Sequence, residues 1–231
     1  MKKIGLIGGV SWKSTAQYYQ IINEYITHKL GGNHSAKMVI ESLDFGPLEA
    51  CAHAGDWGAI EKTLVSAVRN LEKAGADFFL ICANTLHKLE KSICKKTGMP
   101  FLSIVSETLK EVTLKKIKKV GLLGTKFTME SAFFKEALSR NGVACLTPPE
   151  ADRMKIHKII YDELVKGILQ ESSRAVYLKI IQELEEKGCE GIILGCTEIP
   201  LLIQQADVKS IVLDTTKIHA IAAAQRSIEE P

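Results

Sequence analysis

The sequence lacks any hydrophobic run long enough to cross a membrane. No segment approaches the roughly 18 consecutive apolar residues of a membrane-spanning helix. Near the amino terminus, glycines interrupt a short apolar run, and no small-residue cleavage site follows it. We therefore expect neither a membrane span nor a signal peptide, and a cytoplasmic protein with no membrane partner.

A surplus of charge of one sign is missing as well. The 231 residues include 30 basic and 27 acidic side chains, a net charge of +3. The basic segment KKIKK at 115–119 has no interleaved aromatic residue, which favours a solvated helix end over a nucleic-acid surface. Nucleic acid is not an expected partner. A hydrophobic fraction of 46% is typical of ordinary globular domains, and the length suits one large domain or two small ones.

Cysteine pairing patterns and metal-binding motifs are also missing. The six cysteines include no CxxC pair and lack the regular spacing of a disulfide-rich domain, so most are expected to be reduced thiols. No grouping of histidine, cysteine and carboxylate residues has the spacing of metal ligands, and we predict no metal site. The glycine-rich segment 5–15 fits neither GxGxxG nor GxxxxGKS/T, so the signal for a nucleotide is weak.

Short apolar runs alternate with longer amphipathic stretches along the chain. This alternation is typical of βα units around a parallel sheet, so we predict an α/β fold. The predicted strands are KIGLIG (3–8), KMVIESL (37–43), DFFLIC (77–82), PFLSIV (100–105), KVGLLG (119–124), VACLTP (143–148), EGIILG (190–195) and SIVLD (210–214).

The two halves of the sequence repeat one plan. KKIGLIGG at 2–9 recurs as KKVGLLGT at 118–125, and residues 64–85 match residues 177–198 without a gap at an offset of 113. This repeat predicts two pseudo-symmetric lobes, each a mainly parallel sheet flanked by helices. Because ligands of open α/β sheets bind at the carboxyl ends of strands, we expect the active site in a crevice between the lobes, lined by the turns that follow the strands.

The sharpest of these turns is GCTEIP at 195–200. Gly195 allows a tight turn after a strand, and Cys196 follows just before an expected helix start. A thiol at a helix amino terminus has its thiolate stabilised, which is expected to lower its pKa. Cys196 is therefore a candidate base or nucleophile.

The matching turn, ICANTLH at 81–87, carries its thiol one residue too early. At the offset of 113, Cys196 corresponds to Ala83, and Cys82 corresponds to Gly195. A shift of one residue in a strand turns the side chain to the other face, so Cys82 is expected to point into the packing beneath the turn. Cys82 is therefore expected to be a buried packing residue rather than a catalyst.

Other polar residues of these turns are candidates for ligand binding. Asn84 and Thr85 are expected to cap the following helix, to hold a ligand carboxylate, or to do both. His87, one turn further on, is expected to make a structural hydrogen bond rather than to act as an acid or base. In the second half, Thr125 and Thr128 are candidate hydroxyl donors.

In these segments the sequence resembles the aspartate/glutamate racemase family, over essentially its full length. GGVSW and GCTEIP, in place of GCTH, are nearer to the aspartate-racemase branch than to the glutamate-racemase branch. The motifs that carry the resemblance, in the family's order, are GLIGGVSWKST, CANTLHK, GLLGTKFTM, IIYDEL, GCTEIPLL and DTTKIHA.

The resemblance implies a homodimeric amino-acid racemase that needs no cofactor. It also implies that the chain returns to the first lobe at about Thr216, giving lobes of residues 1–104 plus 216–231 and 105–215. In the family, one cysteine thiolate removes the α-proton and a second thiol returns a proton from the opposite face. By motif, Cys196 is one of these two acid/bases. The substrate-binding residues implied in the same way are Gly9, Val10, Ala83, Asn84, Thr85, Thr125, Thr197 and Glu198.

The sequence departs from the family pattern at two places. Ala83 stands where the first catalytic cysteine is usual, so the second proton has to come from bound water, from a shifted Cys82 or from a nearby hydroxyl. The segment 42–50 has no counterpart of the arginine that meets a substrate's side-chain carboxylate, and the candidate substitutes are Lys126, Lys166 and Arg153. The substrate is therefore aspartate, glutamate or a broader set of amino acids.

Two alternative functions are consistent with a single catalytic cysteine. One is a decarboxylase of the same superfamily, since protonating one face of a carbanion needs one acid. The other is an amino-acid-binding protein without turnover.

Overall fold

The computed structural model describes residues 1–229; Glu230 and Pro231, which we assigned to the first lobe, lie outside the described residues. The chain forms two compact units. Unit 1 comprises Met1–Ile104 and the segment from His219 onward, and unit 2 comprises Val105–Ile218. The chain thus re-enters unit 1 after Ile218, three residues later than the sequence-based boundary before Thr216.

Unit 1 is built on a parallel sheet of three strands in the order β2-β1-β3. Every residue of the central strand is buried, because helices cover both faces of such a sheet. The elements are β1 (Ile4–Gly8), α1 (Trp12–Leu30), β2 (Met38–Ser42), α2 (Phe45–Ala54), α3 (Trp57–Lys73), β3 (Phe78–Ile81), a 3₁₀ helix (Thr85–Leu89) and α4 (Glu90–Thr97).

Unit 2 is built on a parallel sheet of four strands in the order β5-β4-β6-β7. The helices α5 (Ile104–Leu114) and α10 (Thr215–Ile228) include the two points at which the chain passes between the units. The other elements are β4 (Lys119–Gly124), α6 (Lys126–Glu130), α7 (Ala132–Arg140), β5 (Ala144–Leu146), α8 (Glu150–Asp162), a 3₁₀ helix (Leu164–Lys166), α9 (Glu171–Glu186), β6 (Gly191–Gly195), 3₁₀ helices at Ile199–Leu201 and Gln205–Asp207, and β7 (Ile211–Asp214).

The predicted α/β fold with two helix-flanked parallel sheets is confirmed, but one predicted strand is wrong. The segment 100–105 makes a single isolated bridge between Phe79 and Phe101, and helix α5 already begins at Ile104. A short apolar run fits the buried start of a helix as well as it fits a strand, and periodicity cannot separate the two.

The sequence repeat reappears as repeated hydrogen bonds inside each unit. In unit 1 the ammonium group of Lys3 donates to the carbonyl oxygen of Ala74 at 2.9 Å. In unit 2 the ammonium group of Lys119 donates to the carbonyl oxygen of Lys187 at 2.6 Å. The glycine that follows each of these carbonyl groups has a positive φ, 75° at Gly75 and 83° at Gly188. The matching helix ends are therefore built in the same way.

Candidate active site

The turn after β6 places the side chains of Cys196, Thr197 and Glu198 together in a buried polar group in unit 2. Gly195 is required there, because a Cβ atom at this position would lie 2.9 Å from the carbonyl oxygen of Leu123. The thiol of Cys196 donates a hydrogen bond to Oε2 of Glu198 at 3.1 Å. The hydroxyl of Thr197 donates to the same oxygen at 2.8 Å. Cys196 is 8% exposed and Glu198 only 4%, so a carboxylate with two donors sits almost wholly out of water.

The expected low pKa of Cys196 is wrong. Burial raises the pKa of the thiol well above its usual value, and the negative charge of Glu198 raises it further. Hydrogen bonds from the backbone N–H groups of Glu198 and Thr197 act in the opposite direction but are outweighed. The expectation rested on a helix start after the turn and took no account of burial or Glu198, and the structure has only a 3₁₀ helix of three residues there, Ile199–Leu201. Cys196 is a protonated thiol at rest.

Tyr177 is a neighbour of this group that the sequence did not reveal. It lies on α9 in the same buried cluster as Cys196 and is fully buried. Within residues 1–229 its hydroxyl has no hydrogen-bond partner. Burial raises the pKa of the phenol well above its usual value, and the charge of Cys196, once this thiol is ionised, and the charges of Glu163 and Glu198 raise it further. Its spacing on the helix indicated an ordinary core residue, so no sequence signal marked it.

The corresponding turn of unit 1 follows β3. Cys82 is fully buried in the core cluster of this unit, and burial raises the pKa of its thiol far above the usual value. Ala83 and Asn84 follow and are also buried. The expected capping by Asn84 is wrong: its backbone is helical, its side chain makes no capping hydrogen bond, and the 3₁₀ helix Thr85–Leu89 precedes α4.

The turn after β1 brings two chain segments of unit 1 into close contact. Gly9 has a φ of 85°, and a Cβ atom there would lie 2.0 Å from the carbonyl oxygen of Leu43. Its N–H group donates to the hydroxyl of Thr15 at 2.8 Å. The Gly9 N–H group is therefore already satisfied, while Val10, the next predicted binding residue, is half-buried.

The turn after β4 uses its threonines to begin a helix. The hydroxyl of Thr125 accepts a hydrogen bond from the N–H group of Thr128 at 3.2 Å and caps α6. Of the cations proposed to meet a side-chain carboxylate, Arg153 is already engaged: it forms an ion pair with Glu130 at 3.2 Å and donates to the carbonyl oxygen of Pro148 at 2.9 Å. Lys126 is half-buried, at the first position of α6.

Residues 1–229 contain no group of three or more histidine, cysteine or carboxylate side chains arranged to hold a metal ion. Over the same residues, no helix combines the length and the apolar character needed to span a membrane.

Comparison with known proteins gives a consistent picture. The family model for Asp/Glu/hydantoin racemases matches residues 7–223. The broad-specificity amino-acid racemase RacX of Bacillus subtilis is 23% identical over 222 residues, with 92% of each chain covered.

Two solved structures are similar over nearly all of this chain. A candidate Asp/Glu racemase from Yersinia pestis is 43% identical with a TM-score of 0.92, and the match covers 99% of this chain and 100% of that one. An aspartate racemase homologue from Pyrococcus horikoshii is 33% identical with a TM-score of 0.85, with the same coverage.

Proposed function

Because the chain belongs to the Asp/Glu/hydantoin racemase family, we propose that it racemises an amino acid without a cofactor, using Cys196 as the principal acid/base. Family membership supports an isomerase that acts on amino acids. The observation that carries the finer proposal is the hydrogen bond from the Cys196 thiol to the Glu198 carboxylate. The residue that matches Cys196 in the repeat is Ala83, which cannot carry a proton.

Glu198 supplies the base that this protonated thiol needs. In the proposed reaction the thiol proton passes to the carboxylate of Glu198, and the resulting thiolate removes the α-proton of the substrate. The electron pair of the broken C–H bond moves into the substrate carboxylate, which becomes an enediolate. Return of a proton to the opposite face completes the inversion. Glu198 is therefore proposed as the partner of Cys196, in addition to the substrate-binding role that the resemblance implies.

Hydrogen-bond donors near the substrate carboxylate stabilise the enediolate, because negative charge accumulates there. Asn84 and Thr85 are the proposed donors of unit 1, and Thr197 is the proposed donor that accompanies Cys196. The remaining proposed contacts are Gly9, Val10, Ala83 and Thr125.

The two proton transfers are proposed to be unequal. Ala83 leaves bound water or a hydroxyl group as the donor for the second face, since Cys82 is fully buried below the turn. One substrate enantiomer is then favoured. A homodimer remains a prediction from the family resemblance, and a cytoplasmic location remains a prediction from the sequence. The proposed substrate is aspartate, glutamate or a broader set of amino acids.

The proposal is tested by incubating each common L- and D-amino acid with the protein in deuterated water. Wild-type protein is expected to exchange the α-proton of at least one enantiomer, and Cys196→Ala is expected to lose that exchange. Unchanged exchange in Cys196→Ala rules out the assigned base. Binding of an amino acid without exchange at any pH supports a binding protein, and release of CO₂ from substituted malonates supports a decarboxylase.

A further inference from the structure

Two histidines are buried beneath the turn that carries Ala83. His87 follows this turn in the 3₁₀ helix, and His219 lies on the part of α10 that belongs to unit 1. Both are essentially inaccessible to solvent. Their rings meet edge to face, with centroids 5.7 Å apart. Both ring nitrogens of each histidine have hydrogen-bond partners, so the pair is a complete polar network inside the core.

The partners fix the tautomer of each ring. The N–H group of Ile104 donates to Nε2 of His87 at 3.2 Å, so Nδ1 carries the proton and donates to the carbonyl oxygen of Ala83 at 2.8 Å. In His219, Nε2 donates to the carbonyl oxygen of Leu102 at 3.0 Å, and Nδ1 accepts from the hydroxyl of Tyr18 at 2.8 Å. The two neighbouring rings therefore carry their protons on different nitrogens.

Neither ring is a proton carrier at neutral pH. Burial lowers the pKa of His87 to about 4. Burial, followed by the charge of His87, lowers the pKa of His219 to about 3. A neutral imidazole has one donor and one acceptor. When both are engaged, the ring links two segments of the chain in a fixed orientation.

The His87 ring holds the backbone of the turn at the end that lies away from the sheet. At the sheet end, the N–H group of Cys82 donates to the carbonyl oxygen of Ile7 at 2.9 Å. At the other end, two carbonyl groups point to His87: that of Ala83 accepts from its ring, and that of Asn84 accepts from its backbone N–H group at 3.0 Å. The orientation of residues 83–85 is thus set between a strand and one imidazole ring.

We propose that His87 is a positioning residue: its Nδ1–H bond to the Ala83 carbonyl oxygen holds Asn84 and Thr85 in the orientation that binds the substrate carboxylate. This inference rests on the proposed racemase function. The bond from Ile104 to Nε2 serves a different purpose, since it fixes the ring rather than the turn. The roles of the two ring nitrogens can therefore be tested by separate substitutions of His87.

Asparagine and glutamine each reproduce one half of the imidazole. The amide nitrogen of asparagine lies near the position of Nδ1 and can donate to Ala83. The amide oxygen of glutamine lies near the position of Nε2 and can accept from Ile104. With the amino acid that exchanges fastest in the wild type, we expect His87→Gln to lower kcat/KM at least tenfold, mainly through a higher KM, and His87→Asn to stay within about threefold of the wild type.

His219→Gln is the matched control, because it removes the other ring of the pair but keeps a donor near Leu102 and touches no part of the turn. It is expected to lower the melting temperature while kcat/KM stays near the wild-type value. Equal kcat/KM losses in His87→Asn and His87→Gln overturn the positioning role while leaving the proposed function intact. No exchange by the wild-type protein overturns both.

A second measurement does not depend on variants that fold. Long-range ¹H–¹⁵N correlation spectra of histidine-labelled wild-type protein report which ring nitrogen carries the proton. We expect the Nδ1–H form for His87 and the Nε2–H form for His219. An Nε2–H form of His87 overturns the inference, because such a ring cannot donate to Ala83.

Discussion

The thiol of Cys196 and the carboxylate of Glu198 share a hydrogen bond of 3.1 Å, although they are separated by a single residue in the sequence. Burial raises the pKa of the thiol, the carboxylate raises it further, and the same carboxylate accepts the hydrogen bond of the thiol. In the proposed mechanism, Glu198 thus keeps the thiol protonated at rest and accepts its proton in turnover, so that the thiolate can act as the base.

Replacing Glu198 with glutamine separates these two effects. The amide carries no charge, so the pKa of Cys196 is expected to fall, and alkylation of Cys196 by iodoacetamide at a fixed pH becomes faster. The amide is also no base, so kcat is expected to fall by roughly 10²–10⁴, the usual contribution of general acid–base catalysis. Glu136→Gln, which removes a surface ion pair with Arg140, is the control. Slower alkylation or an unchanged kcat contradicts the assigned role.

Ala83→Cys is expected to make the site more symmetric. In the proposed mechanism, a thiol at this position returns a proton to the face that Cys196 does not serve, so the ratio of inversion to α-proton exchange in deuterated water is expected to rise. Chiral chromatography and mass spectrometry of the product measure this ratio. The double variant Cys82→Ala/Ala83→Cys is the control, since its gain cannot come from the native thiol. A ratio that stays at the wild-type value shows that the missing thiol is not limiting.

The stability of the protein is expected to respond differently to the loss of the hydroxyl group at two fully buried tyrosines. The hydroxyl of Tyr18 donates to His219 at 2.8 Å, so Tyr18→Phe leaves Nδ1 unsatisfied and is expected to cost about 1–3 kcal/mol in the free energy of unfolding. The hydroxyl of Tyr177 has no partner among the described residues, so Tyr177→Phe is expected to be neutral or stabilising. Urea unfolding of the two variants measures the difference. Equal losses contradict it.

The buried histidines predict a loss of stability in mild acid. The pKa of His87 falls from 6.5 to about 4 on folding, and that of His219 falls from 6.5 to about 3. Below pH 6.5 the unfolded chain binds protons that the folded chain excludes, so the free energy of unfolding falls as the pH drops towards 4. For His87 alone the full effect is roughly 3 kcal/mol. Partial burial raises the pKa values of Glu90 and Asp214, which act in the opposite direction and offset part of the loss.

Urea unfolding between pH 7.5 and pH 4.5 measures this dependence. His219→Gln removes one buried imidazole, so its stability is expected to depend less steeply on pH than that of the wild type. If the free energy of unfolding depends on pH with the same slope in the two proteins, His219 is excluded as a cause of the loss of stability in acid.

Much of the fold could be predicted from the sequence because its two halves repeat the same order of elements. Each element assigned in one half supported its counterpart in the other. Gly75 and Gly188 mark equivalent helix ends, and the strand after each was predicted within one or two residues. The segment 100–105 failed because its apolar residues suit a buried helix start as well as a strand. The repeat also singled out Cys196 and Ala83.

The electrostatics of the candidate site were harder to predict. The pattern around Cys196 indicated a helix start and a low pKa, but its pKa depends on burial and on a carboxylate two residues away. Neither burial nor that contact can be read from spacing. The predicted structural hydrogen bond of His87 is confirmed, but its partners, and the position of Tyr177 beside Cys196, could not be predicted. The partners of His87 are backbone atoms and Tyr177 lies 19 residues before Cys196, and such contacts leave no residue pattern.

The protonated state of Cys196 has a consequence for chemical damage. Thiolates, rather than thiols, react with peroxides, and all six cysteines of this chain are free. Burial raises the pKa of five of them, Cys82, Cys94, Cys145, Cys189 and Cys196. Cys196 of the resting protein is then expected to oxidise slowly, whereas in the proposed mechanism each turnover briefly creates its reactive thiolate form. We expect oxidants to inactivate the protein faster when it is working than when it is at rest.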